Sequence, residues 1–403
     1  MGAQRVTVVG IGDDGWEALP AAARALVLGA DVLLGGERHL ALPPAVDRQR
    51  RVSWPSPLRE GLPALLDSLD GTVVALASGD PLVAGIGTTL IDLLDADRVE
   101  VVPAVSSSAL ARARLGWPAE TVTVLRDHRE LPRHLAPGAR MLVLSADETT
   151  PGEVARTLVD HGFGPSRLTA LAHLGGADES RHEATAATWA HTVPTLHVLA
   201  VEAAASTGAV ALGWTPGLPD EAFEHDGQIT KRDLRASALS RLAPRPGELL
   251  WDVGAGAGSV GIEWSRAHVR CRTVAVEAHA ERADRIERNA VRLGVPSLRV
   301  VRGRAPGMLA GLPTPDAVFV GGGASREGVI ETAWERLRPG GRLVVHAVTL
   351  ETEAVVAGWA ARVGGELTRV AVETARPIGT FTGWEPARAV VQWAVVKPQE
   401  ESS

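Results

Sequence analysis

The sequence predicts an α/β protein of two enzyme-sized units, and three observations carry that expectation. From Arg5 onward, short β-branched runs alternate with Ala- and Leu-rich segments of helical period. Glycine-rich loops directly follow apolar strand-like runs in both halves. The length, 403 residues, exceeds what one hydrophobic core ordinarily serves.

In the first half the strand-like RVTVVG leads into the helix-patterned WEALPAAARALVLGA and then DVLLGG. Further strands are expected at residues 72–77, 99–102, 121–125, 140–144, 167–172 and 196–201. Periodicity then breaks into a stretch rich in Gly, Pro and acids, which sets a first domain at 1–205, a linker at 206–229 and a second domain at 230–403. Beyond it, helices are expected at 231–242, 259–266 and 279–293. Strands are expected at 248–253, 272–276, 298–301, 316–320, 342–346 and 389–396. No repeat relates the halves, so they read as two different folds joined together.

Apolar residues make up 45% and charged residues 22%, the balance of a chain that buries a core. A net charge of −7 argues against a broad nucleic-acid surface, because phosphate binding needs a local excess of Lys and Arg. Cys271 is the only cysteine, which excludes an intrachain disulfide and thiolate metal clusters. The opening MGAQRVTVVGIG lacks a basic region followed by a long apolar stretch, and runs such as 196–205 are too short to span a bilayer. A cytoplasmic protein with no membrane role is expected. The twelve histidines lack metal-ligand spacing, so no metal is expected, and the adjacent His182 and Glu183 read as surface residues.

The strongest single feature is LLWDVGAGAGSVGIEW, where a strand ends in Asp252 and opens through Gly254, Ala255, Gly256, Ala257 and Gly258 into a helix. Such a loop lets backbone approach a nucleotide-like ligand at a helix N-terminus. Gly256, Gly258 and Gly261 also satisfy the dinucleotide pattern, so two cofactors compete. An acid at position 252 would repel a pyrophosphate and attract the methionine ammonium of S-adenosyl-L-methionine, which favours the methyl donor. Glu277, closing the next strand, suits a ribose in either ligand. The bland account is a tight turn with Asp252 as a helix-associated cap.

In the first half, Gly10 and Gly12 follow a strand, a signal that a plain turn explains equally well. More telling is VVALASGDPLVAGIG, whose Gly79, Asp80 and Pro81 sit at a strand's C-terminal edge, where open α/β sheets bind ligands. Ser106, Ser107 and Ser108 can cap a helix and offer hydroxyls.

Taken together, VGIGDDGW, LASGDP and PAVSSSALARARLGWP resemble the tetrapyrrole methylase family, in its C5-methylating cobalt-precorrin branch. ITKRDLRASALSRL, WDVGAGAGSVGIEW, GRAPGML and AVFVGGG are similar to the C15-methylating, decarboxylating methyltransferases of the same chemistry. The resemblance implies a two-lobed α/β tetrapyrrole methylase domain followed by a Rossmann-like class I methyltransferase domain. It implies methylation of a precorrin at C5 and C15, with decarboxylation of an acetate arm, in cobalamin biosynthesis. It further implies one S-adenosyl-L-methionine site per domain and a homo-oligomer. By the same resemblance, Thr230, residues 254–258, Glu277 and Ala305 line the second cofactor site; Gly10, Gly12, Gly79, Asp80, Pro81 and Ser106–Ser108 border the first.

Three departures stand out. Asp13 or Asp14 replaces a proline usual in the first loop, LRDHRE replaces a Ser-x-His-Gly-Arg run, and Arg304 replaces an acid in Gly-Asp-Ala-Pro. Arg304 cannot accept a hydrogen bond from an adenine amino group. Methyl transfer to an electron-rich ring carbon needs no protein nucleophile, consistent with the missing G-x-S-x-G and H-E-x-x-H signatures. Lys231, Arg232, Arg326 and Arg376 are candidates to hold substrate carboxylates.

Overall fold

The computed structural model describes residues 5–399, so residues 1–4, the start of the opening segment expected to carry no leader, lie outside the described residues. The chain forms two compact units: one takes residues up to 128 with 136–210, the other takes 129–135 with 211 onward.

The first unit contains two five-stranded sheets. In one, β1 (Val6–Ile11), β2 (Val32–Gly35), β3 (Arg50–Ser53), β4 (Val73–Ser78) and β5 (Val99–Val102) are all parallel, in the order β3-β2-β4-β1-β5. Its central strands are covered on both faces and therefore read as nearly unbroken apolar runs. From β1 the chain leaves toward β2, and from β4 it leaves toward β5, so the adjacent ends of β1 and β4 form a topological switch point. The other sheet is mixed, with β6 (Val122–Leu125), β7 (Arg140–Leu144), β8 (Arg167–Ala172), β9 (Ser180–Thr185) and β10 (His197–Glu202) in the order β6-β7-β10-β8-β9.

In the second unit, β11 (Leu249–Val253), β12 (Arg272–Glu277), β13 (Arg299–Arg302), β14 (Ala317–Val320) and β15 (Arg342–Ala347) are parallel. β16 (Glu366–Val370) precedes a hairpin of β17 (Glu373–Ile378) and β18 (Phe381–Pro386), and β19 (Val390–Val396) returns antiparallel between β15 and β16. The order β13-β12-β11-β14-β15-β19-β16 puts the switch point between β11 and β14. Trp251, Val318 and Trp393 pack on one face of this sheet; Leu250, Trp264 and Phe319 pack on the other.

The stretch expected to be a linker is not a free tether beyond residue 210. Leu218 and Phe223 are buried with Ile286 and Leu293 in the second unit. The N–H groups of Gly217 and Leu218 donate to the Glu263 carboxylate at 2.6 and 2.9 Å. Apart from one 3-10 turn at Asp220–Ala222, side chains satisfy much of this backbone, which is why it carries no sustained period in sequence. Among the described residues no helix is long and apolar enough to cross a membrane.

Candidate functional site

The loop after β11 sits at the second unit's switch point, and its glycines are there for a steric reason. Gly254, Gly256 and Gly258 adopt φ of 69°, 60° and 75°. A Cβ on Gly254 would lie 2.7 Å from the carbonyl oxygen of Gly322, and one on Gly256 would lie 2.7 Å from that of Gln228. Two further chain segments therefore close on the loop: Gly321–Gly323 at the end of β14, and residues 228–230. Half-buried Thr230 falls in the latter, directly before the helix Arg232–Leu242. The resemblance motif AVFVGGG contained the former, but only the topology shows it beside Gly254.

Glu277 ends β12 with each oxygen engaged, Oε2 by the N–H of Gly256 and Oε1 by the N–H of His279, both at 2.9 Å. Each oxygen keeps a second lone pair for a ligand hydroxyl. Gly303 donates its N–H to the backbone carbonyl of Glu277, which brings the turn carrying Arg304 and Ala305 alongside; Arg304 is exposed and Ala305 half-buried.

Asp252 sits beneath the same loop. Its carboxylate is 1% exposed and accepts from the N–H of Gly261 at 2.9 Å, inside the helix Ser259–Ala267. Its Oδ2 braces loop to helix from below, while its Oδ1 is buried with no hydrogen-bond partner. Burial, reinforced by the charge of Glu277 and opposed by the Gly261 bond, pushes its carboxyl up to about 7. An unfolded aspartate titrates near 3.9, so the folded state holds a proton that the unfolded chain has lost. The associated stability is full below about pH 4 and is lost as pH rises toward 7. Asp252→Asn keeps an acceptor for Gly261 and removes the titration. Denaturant unfolding across this range should show a flatter pH profile than the parent; an unchanged slope contradicts the assignment.

Under the loop lies a buried ionic cluster. Arg235 is fully buried, donates to Glu263 at 2.5 Å, to Asp220 at 3.3 Å and to the carbonyls of Leu218 and Thr230, and stacks on Phe223. It pins residues 217–230 against the helix behind the glycine loop. Directly beside it, Lys231, Arg232, Arg376 and Arg388 line a cavity of about 430 Å³ together with the acids Asp220, Glu221, Asp233 and Glu385. Lys231 is paired to Asp220 at 3.4 Å and Arg376 to Glu385 at 3.7 Å. Three of the four cations expected for carboxylates thus converge. Arg326 does not; it follows the Gly321–Gly323 turn.

In the first unit the ends of β1 and β4 touch. A Cβ on Gly10 would lie 2.2 Å from the carbonyl oxygen of Gly79, and Gly79 itself has φ 56°. A cleft of about 560 Å³ opens here, and of the expected residues Gly12, Gly79 and Ser107 line it. The others shape it from outside the lining. Asp80 folds its carboxylate onto the N–H of Leu82 at 2.9 Å, and Pro81 abuts Gly85 and Gly87. Ser106 caps the helix Ser107–Leu115 through Ala109 and contacts Ser108 at 3.0 Å, both hydroxyls buried. One serine of the three faces the cleft.

The lining also holds Asp13 and Arg126, noted only as departures from the family pattern, and Arg38, His39, Ser145 and His197, which no pattern marked. Asp13, one of the two acids where the resemblance expects a proline, bridges Arg38 at 2.8 Å and His173 at 3.0 Å. Burial and the Arg38 guanidinium hold His39 down to about 4. Isolated polar residues at strand ends carry no periodic signal, so only the fold collects them. Among the described residues no cluster of three or more His, Cys, Asp or Glu is placed to hold a metal.

Comparison with known proteins adds independent findings. Residues 5–190 match the family of tetrapyrrole (corrin/porphyrin) methylases, and residues 221–397 match the precorrin methyltransferase domain. The chain is 47% identical over 397 residues to the precorrin-6Y C(5,15)-methyltransferase (decarboxylating) of Sinorhizobium sp, covering 97% of this chain and 96% of the relative. It is 41% identical over 402 residues to the protein of the same name from Mycobacterium tuberculosis (strain ATCC 25618 / H37Rv), covering 97% and 100%. A solved C-terminal domain of precorrin-6Y C5,15-methyltransferase from Rhodobacter capsulatus is 45% identical, covers 46% of this chain and 100% of its own, and has a TM-score of 0.44.

Proposed function

Because the chain belongs to the precorrin-6Y C5,15-methyltransferase (decarboxylating) family, it is a methyltransferase of corrin-ring biosynthesis, and we propose that each unit holds its own S-adenosyl-L-methionine. In this reading the first unit methylates a precorrin at C5, and the second methylates C15 and removes carbon dioxide from an acetate arm. The observation that carries it is the repeated device: two differently built units, each with a glycine loop at a switch point and backbone packed too closely there for any side chain.

The donor, when bound, supplies a methyl group already activated by its sulfonium, so no protein nucleophile is required. The chain aligns and shields. In the second unit, residues 254–258 give backbone access, Glu277 offers its free lone pairs to ribose hydroxyls, and Thr230 and Ala305 flank. In the cavity that Lys231, Arg232, Arg376 and Arg388 share with Asp220, Glu221, Asp233 and Glu385, the cations are the groups that would pair with the peripheral carboxylates of a tetrapyrrole. In the first unit, Gly12, Gly79 and Ser107 face the donor's cleft, and Gly10, Asp80, Pro81, Ser106 and Ser108 hold them in place from behind. Self-association belongs to the same reading. It is supported by the β17–β18 hairpin, on which Ile378, Phe381 and Trp384 stand exposed for a second copy of the chain to cover.

Calorimetric titration tests the cofactor without the macrocycle. Two sites per chain for S-adenosylhomocysteine and none for NADH are expected; NADH binding alone would replace this reading with an oxidoreductase.

A further inference from the structure

Two polar atoms in the first unit's cleft are buried with no hydrogen-bond partner, Nε2 of His197 and Oγ of Ser145. The register that pairs Val198 with Leu144 sets these residues side by side at the ends of β10 and β7. Neither bonds the other, so both are left to a ligand. His197 is 6% exposed, and its Nδ1 lies 2.7 Å from the carbonyl oxygen of Pro194. A carbonyl only accepts, so Nδ1 carries the proton. Burial holds the imidazole below its ordinary range against the opposing pull of the Pro194 and Thr195 carbonyls and the charge of Asp147. The ring is therefore neutral, and Nε2 presents a lone pair.

That state selects the ligand chemistry. A carboxylate arm of the macrocycle offers acceptors only and would leave Nε2 facing like polarity. A lone pair on His197 beside a hydroxyl proton on Ser145 fits an edge on which an amino group adjoins an unprotonated ring nitrogen. Adenine has such an edge. Leu171, Leu174 and Val198, which line the same end of the cleft, suit its ring faces.

We propose that His197 and Ser145 read the adenine of the first unit's methyl donor, His197 Nε2 accepting from the exocyclic amino group and Ser145 Oγ donating to a ring nitrogen. The assignment rests on the reading of the first unit as a donor site. It gives that site a base-specific contact made by side chains.

The test compares S-adenosylhomocysteine with S-inosylhomocysteine, in which a carbonyl replaces the amino group, by calorimetry on the full chain carrying Gly256→Arg to silence the second site. The parent should prefer the adenosyl ligand about tenfold or more. His197→Phe and Ser145→Ala should each reduce that ratio, His197→Phe to near one, and His197→Gln, which restores an acceptor, should retain much of it. An unchanged ratio in the Phe and Ala variants overturns the assignment. If the Phe variant fails to fold, Ser145→Ala decides, because it removes only a hydroxyl. Absence of any first-unit binding in the parent overturns the donor-site reading itself, a distinguishable result.

Discussion

Replacing Gly256 by arginine is expected to cut C15 methylation and carbon dioxide release by about a hundredfold or more while C5 methylation continues. Gly256 holds φ 60°, gives its N–H to Glu277 and leaves no room for a Cβ against the carbonyl oxygen of Gln228. A long side chain must push the loop off residues 228–230, dismantling the contact between the glycine turn and the segment carrying Thr230. Nothing in the first unit's cleft involves these residues. The assay is product analysis from a precorrin substrate, which should return a singly methylated compound with its acetate intact. Loss of both methylations in a folded variant would show that the two activities are not separable.

Removing one partner of the buried pair Arg235–Glu263 should destabilise the second unit by about 3–5 kcal/mol, because the survivor remains charged away from water. The magnitude follows from burial: Arg235 is 0% and Glu263 4% exposed, and each also satisfies backbone groups of residues 217–230. Urea unfolding of Arg235→Ala and Glu263→Ala, followed by tryptophan fluorescence, should bring the second unit's transition to clearly lower denaturant. The double variant Arg235→Met with Glu263→Leu should recover part of the loss. A shift below about 1 kcal/mol in either single variant would make the pair a spectator.

The central strands were legible because burial on both faces writes them as apolar runs, as in VVALAS of β4 and AVFV of β14. Among the edge strands, β5, β6 and β13 were legible but β3 and β9 were not. β3 reads RRVS and β9 SRHEAT, half-exposed segments whose polar residues hide the pairing. The hairpin β17–β18 is exposed along nearly its whole length and has no buried face to betray it. At the sites, sequence could locate a glycine loop and an acid but not the direction of a side chain. Asp252 and Glu277 both end strands, yet one is sealed beneath a helix while the other holds the loop's N–H groups. Three consecutive serines looked equivalent until the helix they begin turned two of them inward.

Residues 129–135 belong to the second unit although 136–210 return to the first. Arg133, 7% exposed, donates to the carbonyl of Arg266, and its backbone packs against Gly294. A ribosome makes this segment long before it makes its seat. During synthesis the first unit can close around a seven-residue excursion whose Arg133 has no seat until Arg266 and Gly294 have emerged. Cutting the gene between the halves would make that exposure permanent, so a clean dissection must carry the 129–135 segment to the C-terminal fragment.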